Sequence, residues 1–264
     1  MARVPTVLSI AGSDSGGGAG VQADLKAFAR VGVHGMTAIT AITAQNTVGV
    51  EIVEAVSPRT IVAQVRMVAE DIGVDAVKIG MLGRLETVEA VVDALAYVGE
   101  APVVIDPVMI AESGAVLLED DARLECIEKL FPLATVITPN IPEARALTGS
   151  GEDVSQEDLA RAVVELGPKA AVVTGGHSEE IVDCFFDGEA VTPIRGPRYP
   201  GGASHGSGCT HSASLAALLA LGKELLEAAE KARQITSEAV KNGLDDVGEG
   251  AGPVDVFNLA KSAR

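Results

Sequence analysis

The stretch His205-Gly206-Ser207-Gly208-Cys209-Thr210 stands directly ahead of an apolar helical run. Glycines at that point leave backbone N–H groups unobstructed, and a helix N-terminus is partly positive, so together they form an anion hole. Such a hole suits a transferring phosphoryl group, whose oxygens carry the developing charge. Cys209 falls in the first helical turn, where a thiol pKa is expected to drop, and a thiolate there could take the proton of an attacking hydroxyl. The same residues also suit a plain glycine turn capping a buried helix, with Cys209 as a small core residue. A second glycine cluster, Gly12 to Gly20, places five glycines in nine residues between a strand and a helix. It lets a ligand approach the backbone closely, or it is a flexible connection. It matches neither a dinucleotide fingerprint nor a Walker A loop, so P-loop kinases are excluded.

Two acids follow strands: Asp106 in Asp106-Pro107-Val108-Met109, and Glu143 in Thr138-Pro139-Asn140-Ile141-Pro142-Glu143. Near a nucleotide they could share a hydrated Mg²⁺, with Asn140 adding a neutral oxygen. Asn140 and Glu143 also have the spacing of a capping box. The four histidines, His34, His177, His205 and His211, lack metal-ligand spacing and read as surface or structural groups, with His177 best placed near a ligand.

The elements that must position these residues alternate. Strands are expected at Val4 to Ala11, Met36 to Thr43, Ile52 to Val56, Ala76 to Ile79, Val103 to Ile105, Thr135 to Ile137 and Ala170 to Val173, with a hairpin over Ile181 to Phe186 and Ala190 to Ile194. Helical spacing follows at Val21, Leu25 and Phe28, then at Ile61, Val65, Val68 and Ile72 after the cap Ser57-Pro58, and again at Leu85 to Leu95, Cys209 to Leu221 and Glu224 to Val240. The charged run Glu227 to Glu238 reads as a solvated face. Apolar strands alternating with amphipathic helices imply a mostly parallel sheet covered on both faces, with ligands beyond the carboxyl ends of its strands. No linker or repeat divides residues 1–264, so a single α/β domain is expected.

The formal net charge of −17, with eight lysines, argues against a nucleic acid partner. It is consistent with either a salty cytoplasm or ordinary solubility. Three cysteines without pairing signs fit a reducing compartment, and no leader or membrane span is expected, so the protein reads as cytoplasmic.

The ordered set AGSDSGGGAGVQADLKAF, TAITAQNT, KIGML, DPVMIAESG, ITPNIPEA, GGH, HGSGCT and GEGAGPVDVF runs from about Ser9 to Phe257. It resembles the hydroxymethylpyrimidine and phosphomethylpyrimidine kinases, a branch of the ribokinase-like family. The resemblance implies a three-layer α/β/α sandwich and transfer of the ATP γ-phosphate to 4-amino-5-hydroxymethyl-2-methylpyrimidine and then to its monophosphate, for thiamin. It implies a pyrimidine pocket at Gly12, Ala19, Asp24, Gln45 and Met81, catalysis at Cys209 with Gly206, Ser207 and Gly208, ATP near Asn140, Thr174 and Gly176, and Mg²⁺ near Asp106 and Glu143. It further implies a homodimer. Members often carry lysine where this chain has Glu112 and Thr174, so the means of holding the ATP phosphates is open. A pyridoxal or pyridoxine kinase and a catalytically weakened pyrimidine-binding relative are the alternatives. Because the sequence ends at Arg264, no additional thiamin-synthesis domain is expected.

Overall fold

The computed structural model describes residues 3–110, 114, 117–175, 182–199 and 203–259. Nine strands form one sheet: β1 Thr6–Ser13, β2 His34–Gln45, β3 Val50–Ala55, β4 Ala76–Ile79, β5 Val103–Ile105, β6 Val136–Ile137, β7 Ala171–Val173, β8 Val182–Phe186 and β9 Val191–Arg195. Their spatial order is β3-β2-β1-β4-β5-β6-β7-β8-β9. The six strands from β2 to β7 are parallel, while β3 at one edge and the β8–β9 hairpin at the other are antiparallel.

Side chains alternate across this sheet because a strand repeats every two residues. Leu8, Ile10, Val77 and Ile79 enter one core with α2 Pro58–Asp71, α3 Leu85–Leu95, α4 Asp120–Glu125, α5 Ile141–Thr148 and α6 Gln156–Val164. Val7, Ala76, Val104 and Val172 enter the other with α1 Gly20–Val31, α7 Ser207–Ala220 and α8 Leu225–Lys241. The layers are therefore α/β/α, as expected. The strand positions agree with the sequence reading to within about two residues, and Ser57 caps α2 by accepting from the Thr60 N–H.

Several expectations are corrected. Leu25 and Ile72, taken as core-facing, are exposed; the buried face of α1 runs through Val21, Ala23, Asp24, Ala27 and Phe28 instead. The run Glu227 to Glu238 is not wholly a solvated face, since Arg233 is buried with its Nε 3.6 Å from Asp183 Oδ2. The sequence reading assigned no element to α4, α5 or α6, which are only six, eight and nine residues long. Ser155 caps α6 by accepting from the Asp158 N–H.

Candidate active site

The first glycine cluster is a loop built around one carboxylate. Asp14 is buried; its Oδ1 accepts from the Gly16 N–H at 2.8 Å, and its Oδ2 accepts from Gly18 and Ala19 at 3.0 and 2.8 Å. His205 Nε2 lies 3.0 Å from the same Oδ2, which ties the loop to the segment leading into α7. Burial opposes ionisation of Asp14, but His205 and the loop N–H groups outweigh it and hold the carboxyl below its usual range. Ser15 closes the far side: its hydroxyl donates to Gln45 O at 2.6 Å and accepts from Gln45 N–H at 2.8 Å.

The two glycine segments touch through their backbones. Gly206, the N-cap of α7, has φ 81°, and a Cβ there would lie 1.8 Å from Gly18 O. Gly20 has φ 57°, and a Cβ there would lie 2.3 Å from Gly12 O. No other residue type fits either position. Ser207 N–H bonds Ser204 O, and Thr210 N–H bonds Gly206 O. The Gly208 and Cys209 N–H groups are left without a partner among the described residues. These are the open donors expected of an anion hole.

Beneath that helix end lies a buried polar cluster. Lys78 and Asp24 have no exposed surface, and Lys78 Nζ sits 2.9 and 3.0 Å from the two Asp24 oxygens, with Ser9 Oγ donating to Oδ2 at 2.6 Å. Burial alone would depress the ammonium, yet Asp24, Cys209 and Asp106 outweigh it and hold Lys78 above the usual lysine range. Asp106 accepts from Ser212 Oγ at 3.0 Å and lies beside Gly208, where an added Cβ would be 3.8 Å from Oδ2. Burial pushes the Asp106 carboxyl up, opposed by Lys78 and Ser212.

Asn140 and Glu143 form the capping box of α5, with N–H to side-chain bonds of 2.9 and 2.8 Å. Glu143 also accepts from the Met109 backbone, and burial together with Asp106 pushes its carboxyl up to about 8. Asn140 bridges to Thr174 across the ends of β6 and β7. Gly176 and His177 lie outside the described residues.

One site expectation changes and another acquires a partner. Asp24, expected on the pyrimidine side, has no exposed surface and is paired with Lys78 below the loop. Cys209 is not a low-pKa thiolate. Burial pushes its thiol up to about 12, and Asp106 and Asp24 add to this against the pull of Lys78 and of a hydrogen bond from the Gly20 backbone. Gln45 lines an open cleft of about 440 Å³ with Ser15, Asn46, Gly49 and Glu51, and Gly12 packs on Met81, an added Cβ meeting Sδ at 3.2 Å. Ala19 is the extended N-cap of α1. Sequence reasoning gave Ser212 no place in the site, and it placed Asp14 and Lys78 among the polar residues at strand ends, and His205 at the head of the second glycine stretch, without a role for any of them. For Lys78 a signal existed, a lone lysine inside the apolar strand text Ala76-Val77-Lys78-Ile79.

A family model for phosphomethylpyrimidine kinase matches residues 14–255. The chain belongs to the phosphomethylpyrimidine kinase family. This kinase is 47% identical over 258 residues to a hydroxymethylpyrimidine/phosphomethylpyrimidine kinase of Rhizobium meliloti, covering 95% of this chain and 96% of that one. It is 46% identical over 264 residues to a protein of the same description from Haemophilus influenzae, covering 97% of each. Among solved structures, the ADP complex of Bacillus subtilis pyridoxal kinase superposes with a TM-score of 0.89 at 36% identity, covering 98% of this kinase and 99% of that chain. A phosphomethylpyrimidine kinase from Clostridium difficile superposes at 0.79 with 40% identity, covering 90% and 100%. The fold is accordingly ribokinase-like.

Proposed function

We propose that this kinase transfers the γ-phosphate of ATP to 4-amino-5-hydroxymethyl-2-methylpyrimidine and then to its monophosphate, supplying the diphosphate for thiamin. The observation that carries this is the N-terminus of α7. Two N–H groups without a partner among the described residues, at Gly208 and Cys209, stand over a loop whose glycines are held open, with Asp106 beside them. The names of the relatives above support the substrate class. Gly12, Ala19, Gln45 and Met81 are the proposed pyrimidine side, and Asn140, Thr174 and Gly176 the proposed nucleotide side.

The residues themselves do little covalent chemistry. In a loose phosphoryl transition state the acceptor proton leaves late, so positioning and charge stabilisation supply the rate. Cys209, protonated at neutral pH, orients the acceptor hydroxyl by hydrogen bonding, and the Gly208 and Cys209 N–H groups hold phosphoryl oxygens. Asp106 and Glu143 suit Mg²⁺: both are oxygen donors, and each has its charge disfavoured by burial, a penalty that a cation relieves. Two carboxylates would suffice to hold a hydrated ion, and the chemistry it would supply is neutralisation of phosphate charge. The proposal includes one domain over the chain, a homodimer and a cytoplasmic location. No helix among the described residues is long and apolar enough to cross a membrane.

A second reading is pyridoxal phosphorylation. The pyridoxal kinase of Staphylococcus aureus in complex with AMP-PCP and pyridoxal superposes with a TM-score of 0.88 at 32% identity over 98% of this chain. ADP release with Mg-ATP and each of the two pyrimidines or pyridoxal, at low and high KCl, separates the readings. Turnover of both pyrimidine forms supports the first; turnover of pyridoxal alone overturns it.

A further inference from the structure

Lys78 stands in the middle of the sheet, between apolar neighbours on β4, with no exposed surface. Among the described residues the only other buried lysine or arginine is Arg233. Lys78 is paired in register with Ser9 of β1, on the face covered by α1 and α7. Its side chain runs toward the carboxyl end of the strand: a Cβ on Gly80 would lie 2.8 Å from Nζ, so glycine at position 80 makes room for the ammonium. That end of the strand is where the α7 N-terminus lies. Asp24, which receives the ammonium, is on α1 one turn beyond Gly20, and the Gly20 backbone bonds the Cys209 sulfur.

A buried ion pair is a weak device for stability, since apolar side chains of similar volume often serve equally well. A charge kept at such a position, directly under a site that gathers negative charge, points to electrostatic work. The chain offers few alternatives: it carries −17 overall, and Thr174 brings no cation to the end of β7.

We propose that Lys78 is a positioning residue for phosphoryl transfer: its ammonium, fixed by Asp24, offsets Asp106 and supplies the positive field beneath the α7 N-terminus. It acts through space and through the Asp24–α1 connection, never by touching the phosphates. The proposal rests on the transfer reading above and adds to it the source of the fixed positive charge.

The test is the double variant Lys78→Met with Asp24→Asn. It removes both charges together, so neither is left alone in the core, and Ser9 keeps a hydrogen-bond partner. The expected result is a folded protein whose kcat falls roughly 10- to 100-fold, with the KM of ATP and of the hydroxymethylpyrimidine changed less than about threefold. A folded variant with wild-type kcat overturns the proposal. A purely structural role predicts lost stability without that split between kcat and KM. Should the variant fail to fold, wild-type protein carrying ¹⁵N-labelled lysine gives the answer. The Lys78 ammonium, distinguished by slow solvent exchange, is expected to shift when Mg-ADP, aluminium fluoride and the hydroxymethylpyrimidine are added; an unmoved signal with those ligands bound overturns the proposal. Wild-type silence with every acceptor overturns the transfer reading and this proposal together, whereas an active wild type beside an equally active double variant overturns this proposal alone.

Discussion

Cys209 and Glu143 show how far a residue's surroundings move its chemistry. For Cys209, two effects compete: the helix N-terminus and Lys78 favour the thiolate, while burial and two carboxylates oppose it. The second group wins, leaving the thiol at about 12. Iodoacetamide is therefore expected to alkylate Cys209 slowly at neutral pH, with a rate still climbing above about pH 9, where an ordinary cysteine has levelled off. Peptide mass spectrometry across a pH series measures this; a plateau near the free-cysteine pKa counts against it. Cys209→Ala is expected to lower kcat about 10²- to 10³-fold in the coupled ADP assay, with little change in KM, if the thiol orients the acceptor. Glu143 carries a pH signature. Its carboxyl is pushed up from 4.5 to about 8 by burial and Asp106, so between those values the unfolded chain ionises it and the folded chain does not. The folded state binds the extra proton, and stability falls as pH rises through that window, then levels above it. Glu143→Gln keeps an acceptor for the Asn140 N–H and removes the titration. Its melting temperature is expected to exceed that of the wild type near pH 9 but not near pH 4, as read by thermal denaturation.

At the scale of elements, the site is a junction of loop ends whose geometry is set by backbone contact. Gly206→Ala must adopt φ 81° and would also meet Gly18 O, so the two glycine segments must separate. The φ cost alone is about 1–3 kcal/mol. The expected outcome is loss of nucleotide affinity together with a lower melting temperature; calorimetric titration with AMP-PCP showing normal affinity would contradict it. Asn140→Ala removes the side-chain acceptor of the Glu143 N–H, the cap of α5, and is expected to cost about 1 kcal/mol in urea denaturation. Activity should fall less, because the backbone N–H of residue 140 still holds the Glu143 carboxylate. The capping and metal readings of Asn140 and Glu143 are thus compatible: the box itself holds the carboxylate beside Asp106.

For the whole molecule, net charge is the dominant feature. At −17 the chain repels itself, and added salt screens that repulsion. The melting temperature is expected to rise between low salt and about 1 M KCl, with Mg²⁺ more effective than K⁺ at equal ionic strength if the proposed Asp106–Glu143 site takes it. Scanning calorimetry in the two chlorides checks this; a melting point indifferent to both would remove the argument. The same acidity makes the location of the few buried cations consequential, since Lys78 lies where field lines are least screened by water.

The order of strands and helices was legible because buried parallel strands and amphipathic helices leave local periodicities: Ala76–Ile79 and Val103–Ile105 appear in the text as they do in the sheet. Ser57-Pro58 and the Asn140–Glu143 box were legible too, since caps are satisfied within a few residues. So were the glycine loops, because positive φ and close backbone approach demand glycine wherever they occur. Short α5 and α6 left too little pattern to separate from loop. What the text could not determine was which distant groups share a core. Asp24 reads as a free carboxylate on a helix until β4 places Lys78 against it, 54 residues away in sequence. Cys209 reads as an activated thiol until folding half-buries it beside Asp106. A hydrogen bond to the next turn is a local event that sequence spacing encodes; a pKa and an ion pair depend on desolvation and on charges brought from other strands, and those exist only once the layers have closed.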